Sequence, residues 1–254
     1  MSSKRALVCG ASQGIGQATA IELAKVGVQV TLLARNEKNL QDIMTSLPGD
    51  GHDFLACDIG DPKSWQSVLQ DKHNQAPYAI LVLNSGGPKG GPISQAEPQE
   101  FLAAMQNHLV ANSLLVRLFL DSMKKNNFGR VITVTSTSVK MPIPHLGVSN
   151  TVRAAVASWG KTLSFELAPF GITVNNVMPG FTDTPRLASL IQAKAEQEKR
   201  PFRAVEEDWK NLVPMKRFAR PEETAALVSF LASENAAYIT GQSIAVDGGR
   251  VGCL

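Results

Sequence analysis

The chain has no run of about 18 consecutive apolar residues, so no membrane-spanning helix is expected. Its opening, MSSKRALVCGAS, reaches Gly10 and Ser12 after only a few apolar residues, too few for the apolar stretch of a secretion signal. Cysteine is scarce. Cys9, Cys57 and Cys253 show neither metal-ligand spacing nor the even count of a disulfide framework, so no metal is expected and a reducing, cytoplasmic compartment fits. An excess of one charge is lacking too: 25 Lys and Arg face 22 Asp and Glu, and the net charge of +3 comes without a dense basic run. Neither a nucleic acid nor a membrane surface finds a patch to grip. Repeats, low-complexity tracts and linkers are absent, which points to one domain over residues 1–254. Tyrosine occurs only twice, at Tyr78 and Tyr238.

What is present is a regular alternation. Of the 254 residues 44% are hydrophobic, enough for one large core. Short β-rich runs (RALVCG, VQVTLLAR, HDFLACDI, YAILVLNS, RVITVTST, ITVNNVMPG and QSIAVDGG) are separated by amphipathic stretches of helical period. That pattern predicts an α/β fold: a doubly wound, Rossmann-like parallel sheet of about seven strands with helices on both faces. Between the fourth and fifth strands it predicts two helices, roughly QEFLAAMQNHL and RLFLDSMKKN. The charged stretch 186–213 predicts a helical pair split at Pro201, placed to act as a lid over a cleft at the strand ends.

The stretch GASQGIG (residues 10–16) follows the first strand and opens the first helix. Gly10, Gly14 and Gly16 allow a tight turn and close approach of a diphosphate, with Ser12, Gln13 and Ile15 supplying loop backbone. The second strand ends in LLARN, with no acid before Glu37. A carboxylate there would bind a ribose 2′-hydroxyl. Arg35 and Asn36 instead suit a 2′-phosphate, which favours NADP(H) over NAD(H), and Gln13 adds no second cation.

With these motifs in order, the sequence resembles the short-chain dehydrogenase/reductase family, and most of all its 3-oxoacyl-[acyl-carrier-protein] reductase-like members. The resemblance covers nearly the whole chain. CDI puts Asp58, followed by Ile59, where the family's Asp binds the adenine amino group. LNSGG puts Asn84 and Gly86 on the family's Asn-Ala-Gly stretch, and PGFTDT puts Pro179, Gly180, Thr182 and Thr184 on the turn beside nicotinamide and the phosphates. YITGQSIAVDGG matches the C-terminal strand. The resemblance also implies a catalytic Ser, Tyr and Lys helped by an Asn. Ser136, after the fifth strand, falls on the Ser. The Tyr is due thirteen residues later and the Lys four beyond that, where this chain has Ser149 and Arg153. The Asn position falls on His108, with Asn107 and Asn112 nearby.

Both replacements change the chemistry. A Ser hydroxyl is a far weaker acid than a phenol and shorter by a ring. Arg153 keeps the charge and can still bond ribose hydroxyls, but it does not relay protons as Lys does. Tyr78 precedes the fourth strand, at the wrong end of the sheet, and Tyr238 is no evident substitute. His145, in the loop before Ser149, and His108 are the candidate proton donors. Lys89 and Lys140 read as solvated charges. Two functions stay open. One is an NADP(H)-dependent reductase of a small-molecule or acyl-thioester carbonyl, with water, the substrate or His145 giving the proton. The other is a nucleotide-binding or regulatory protein that has lost the reaction. The resemblance further implies a homo-oligomer, a tetramer or dimer.

Overall fold

The structure is a computed structural model and describes residues 4–253. The strands are β1 (Arg5–Cys9), β2 (Gln29–Ala34), β3 (Asp53–Ala56), β4 (Tyr78–Leu83), β5 (Gly129–Val134), β6 (Ile172–Pro179) and β7 (Ser243–Val246). The helices are α1 (Gly14–Lys25), α2 (Glu37–Ser46), α3 (Gln66–Gln75), α4 (Pro98–Met105), α5 (Ala111–Lys125), α6 (Gly147–Leu167), α7 (Pro185–Glu198), α8 (Phe202–Asn211) and α9 (Pro221–Ala232). The strands pair in parallel in the order β3-β2-β1-β4-β5-β6-β7. The order reverses between β1 and β4, and at such a reversal the carboxyl ends of the strands splay apart and leave a crevice.

Alternate residues of each strand feed opposite faces, so the strands read as nearly unbroken apolar runs. On one face Ala6, Val8, Val30, Leu32, Ile80 and Val82 pack with Leu23 of α1, Leu40 of α2 and Leu231 of α9. On the other, Leu7, Leu33, Leu81 and Val131 meet Trp65, Leu69 of α3 and Phe119 of α5. Trp65 is fully buried, and its indole N–H donates to the Ile59 carbonyl, which ties the turn after β3 to this core. No helix among the described residues is long and apolar enough to cross a membrane.

Two local expectations are corrected. The strand expected over HDFLACDI is confined to Asp53–Ala56, so Asp58 and Ile59 lie in the following turn, where the Gly60 N–H donates to the Asp58 carboxylate. The two helices expected after β4 are one rod: α4 runs into a π-turn at Gln106–Val110 and on into α5. Nothing in MQNHLVAN breaks a helix. The wider turn inserts a residue's worth of rotation instead, a distortion found often at functional sites. The helical pair in 186–213 divides as expected: Lys199 takes a left-handed conformation (φ 52°), and Pro201 caps α8. Leu187, Ile191, Ala195 and Val205 of this pair form a small core of their own with Phe181 and Trp209.

Candidate active site

A cleft of about 890 Å³ opens over the carboxyl ends of β1 to β6. Gly10, Ser12, Gln13, Gly14 and Ile15 line one end. Gly10 (φ 63°) lies so close to β4 that an added Cβ would stand 2.7 Å from the Asn84 side-chain nitrogen. Gly16 does not line the cleft. A Cβ there would sit 2.1 Å from the Gly10 carbonyl oxygen, so this glycine lets α1 pack against its own loop. Gln13 makes no side-chain cap, and the first turn of α1 carries no acid. The free N–H groups and positive end of α1 thus face the cleft, a donor set that fits a diphosphate. Thr184, across from Gly14, caps α7 through the Leu187 N–H.

Arg35 and Asn36, just beyond the end of β2 and beside the strand that leads into the glycine loop, line the same half of the cleft. Asn36 caps α2, accepting from the Asn39 N–H at 3.0 Å. Arg35 is exposed and makes no ion pair among the described residues, which leaves its guanidinium open to a phosphate. Asp58, Ile59, Asn84 and Gly86 line the middle, and Pro179, Gly180 and Thr182 the opposite wall.

The other half of the cleft is bordered by Ser136, Ser149, Arg153 and His108. Ser136 caps a short turn after β5, accepting from the Ser138 N–H. Arg153 is buried on α6. Its Nη1 donates to the Val134 carbonyl at 2.6 Å and its Nη2 to the Ser85 carbonyl at 3.3 Å, while its Nε has no partner among the described residues. The side chain expected to face a ribose therefore also clamps the ends of β4 and β5. Burial, and then the Arg186 charge, lower its pKa to about 10, which leaves it charged at neutral pH. His108 lies in the π-turn, 3% exposed, with Nδ1 2.5 Å from the Ser85 hydroxyl. Burial first, then Arg153, hold its pKa down to about 3, so the ring is neutral.

His145 does not join this group, contrary to its expected place beside the cleft. It takes a left-handed conformation (φ 63°) with its side chain exposed, and it contributes only its carbonyl, which accepts from the Gly91 N–H. Neither tyrosine comes near. Tyr78 is buried at the amino end of β4, bonded to the Thr31 hydroxyl, and Tyr238 is fully exposed. Among the polar residues of the cleft that carried no sequence signal of their own are Ser85, Arg186 and Arg250. Ser85 stands inside LNSGG as an ordinary small residue, Arg186 is one charge among many in the stretch 186–213, and Arg250 follows the last strand. Lys89, read as a solvated charge, is exposed but lies at the cleft.

A strand order reversing over a glycine-lined helix start, with hydroxyls at the end of β5 and the first turn of α6, places the chain in the short-chain dehydrogenase/reductase family. A family model described as enoyl-(acyl carrier protein) reductase matches residues 10–250. The chain is 34% identical over 257 residues to the NADPH-dependent reductase BacG of Bacillus subtilis (strain 168), with 99% of each covered. It is 31% identical over 251 residues to the 3-oxoacyl-[acyl-carrier-protein] reductase FabG of Rickettsia prowazekii (strain Madrid E), covering 99% of this chain and 98% of that one. Among solved structures it resembles an actinorhodin polyketide ketoreductase with NADPH, at a TM-score of 0.93 and 29% identity, covering 99% of this chain and 98% of that one.

Proposed function

We propose that this protein is an NADP(H)-dependent short-chain reductase that reduces a carbonyl substrate of the 3-oxoacyl type without a phenolic proton donor. One observation carries the reading. The nucleotide half of the cleft holds its full set of expected residues apart from Gly16, while neither tyrosine nor any lysine but the exposed Lys89 lines the cleft. The diphosphate would rest on Gly10–Gly14 and the α1 N-terminus, and a 2′-phosphate on Arg35. NADPH, when bound, supplies the hydride. The relatives named for NADPH-dependent or 3-oxoacyl reduction support the cofactor and the substrate class.

At the reactive end, the hydroxyls of Ser136 and Ser149 can hold the substrate oxygen. The fixed charge of Arg153 stabilises the negative charge that develops there. His108 is neutral and Arg153 holds its proton tightly, so neither is a ready acid. The short side chain at position 149 leaves room for solvent, and the proton comes from solvent or from the substrate itself. The direct test is NADPH consumption by the purified protein against acyl-thioester, cyclic and small acyclic ketones, with NADH as control. Turnover preferring NADPH is expected. Tight NADPH binding with no turnover of any carbonyl would overturn the reading.

A second reading, a nucleotide-binding protein that has lost the reaction, draws on the same Arg153. Two of its N–H groups are occupied by main-chain carbonyls rather than left free for a ribose. The reductase reading extends to assembly and location. Leu102, Val110 and Phe165 are exposed on the rod after β4 and on α6, and these apolar side chains would suit the interface of a homodimer or tetramer. Free, buried Cys9 and Cys57 suit a reducing cytoplasm.

A further inference from the structure

Two guanidinium groups approach one point in the cleft from different helices. A Cβ built on Gly87 would stand 3.5 Å from Nη2 of Arg186 on α7 and 3.8 Å from Nη2 of Arg153 on α6. No carboxylate among the described residues pairs with either arginine. Arg153 is 8% exposed, and its Nε is left without a hydrogen-bond partner among the described residues. A third guanidinium, Arg250, lies over the Phe181 ring and borders the same cleft. Like charges brought together without a counter-ion destabilise the fold unless an anion completes them. The acids lining the cleft, Asp58 and Glu100, are both engaged elsewhere, on the N–H groups of Gly60 and Glu97.

We infer that the Arg153–Arg186 pair is an anion subsite that selects a carbonyl substrate bearing its own carboxylate. The nucleotide's phosphates have other places, on the α1 N-terminus and Arg35. Beside the pair, Ile143, Leu146, Leu187 and Leu190 form an apolar wall, so the substrate that fits carries a carboxylate at one end and an apolar body at the other. Arg186 stands in the first turn of α7, with Nη2 on the Pro88 carbonyl at 2.5 Å. The lid thereby brings half of the anion site with it. Desolvation lowers the pKa of both arginines, in keeping with charges that gain from an anionic partner.

This inference rests on the reductase reading for its kinetic form, and a binding arm keeps it separable. Oxo acids and their methyl esters are compared as substrates, and phenylpropanoate and its methyl ester as ligands of the NADP-loaded protein by calorimetry. Each is repeated with Arg186→Gln. The acid is expected to exceed the ester by roughly 10- to 100-fold in kcat/KM and in affinity, the range of a charge-assisted bond. Arg186→Gln should remove most of that preference while NADPH affinity stays within about twofold. If no carbonyl turns over but phenylpropanoate binds selectively and loses that selectivity in the variant, the subsite stands and the reductase reading fails. Equal handling of acid and ester by the wild type overturns the subsite. So does a variant whose main defect is in NADPH affinity, because the pair would then serve the nucleotide's phosphates.

Discussion

Ser85 and His108 meet through a 2.5 Å hydrogen bond that ties the end of β4 to the π-turn between α4 and α5. Arg153 closes the network, donating to the carbonyl of the same Ser85. The cleft floor is thus a charged guanidinium beside an imidazole that burial, and then the Arg153 charge, keep neutral.

The first consequence is a pH dependence of stability. His108 titrates at about 3 in the fold, for reasons of burial and the Arg153 charge, and near 6.5 in the unfolded chain. Between those values the unfolded chain binds the extra proton, so stability falls as pH drops from about 6.5 toward about 3. His108→Gln should flatten part of that slope. His73, whose pKa is also lowered by burial and Arg5, keeps its own share. Urea unfolding at about pH 7 and about pH 4.5 checks this, and an unchanged difference between the two would contradict it.

Arg153→Lys tests the clamp. One ammonium cannot reproduce a guanidinium fork that reaches β4 and β5 together. The variant is expected to lose about 1–3 kcal/mol by chemical denaturation, a range set by lost bonds to a charged donor and an unsatisfied carbonyl. No loss of stability would mean that these bonds are incidental.

Cofactor choice rests on Arg35. Arg35→Ala should weaken NADPH by roughly 10- to 100-fold and leave NADH nearly unchanged, because only the 2′-phosphate bond is removed. Fluorescence titration of both nucleotides measures it. Equal weakening of the two would place Arg35 on the adenine rather than the phosphate.

Gly16→Ala tests whether the helix start is fixed by packing. The new methyl would collide with the Gly10 carbonyl, 2.1 Å away. A cost of about 1–3 kcal/mol is expected, the usual scale of overpacking, together with weakened NADPH binding as α1 shifts. Thermal unfolding and nucleotide titration report the two effects separately.

The fold and the nucleotide half of the cleft were legible because both rest on local pattern. Glycine spacing after a strand, alternating apolar runs and the LLARN ending need no knowledge of distant contacts. The reactive half was less legible. Ser85 and His108 are 23 positions apart and meet only because a π-turn rotates the rod, which no helix-breaking residue announces. His145, four residues before Ser149, was one of two candidate histidine donors, yet its backbone is left-handed and its side chain is exposed. Arg186 was one charge among many in the stretch 186–213. Its approach to Arg153 depends on how α7 lies across the cleft, a tertiary matter invisible to periodicity.

The central claim is that hydride transfer proceeds here with Ser149 and Arg153 in place of a phenol and an ammonium. Its most direct test mixes NADPH-loaded wild type, and separately the Ser149→Tyr, Arg153→Lys double variant, with an acetoacetyl thioester and an oxo acid, and follows NADPH absorbance through a single turnover. The wild type is expected to consume its bound NADPH with at least one of the two substrates. A wild type that holds NADPH unreacted while the double variant consumes it would contradict the account and leave a nucleotide-binding protein whose chemistry has been lost.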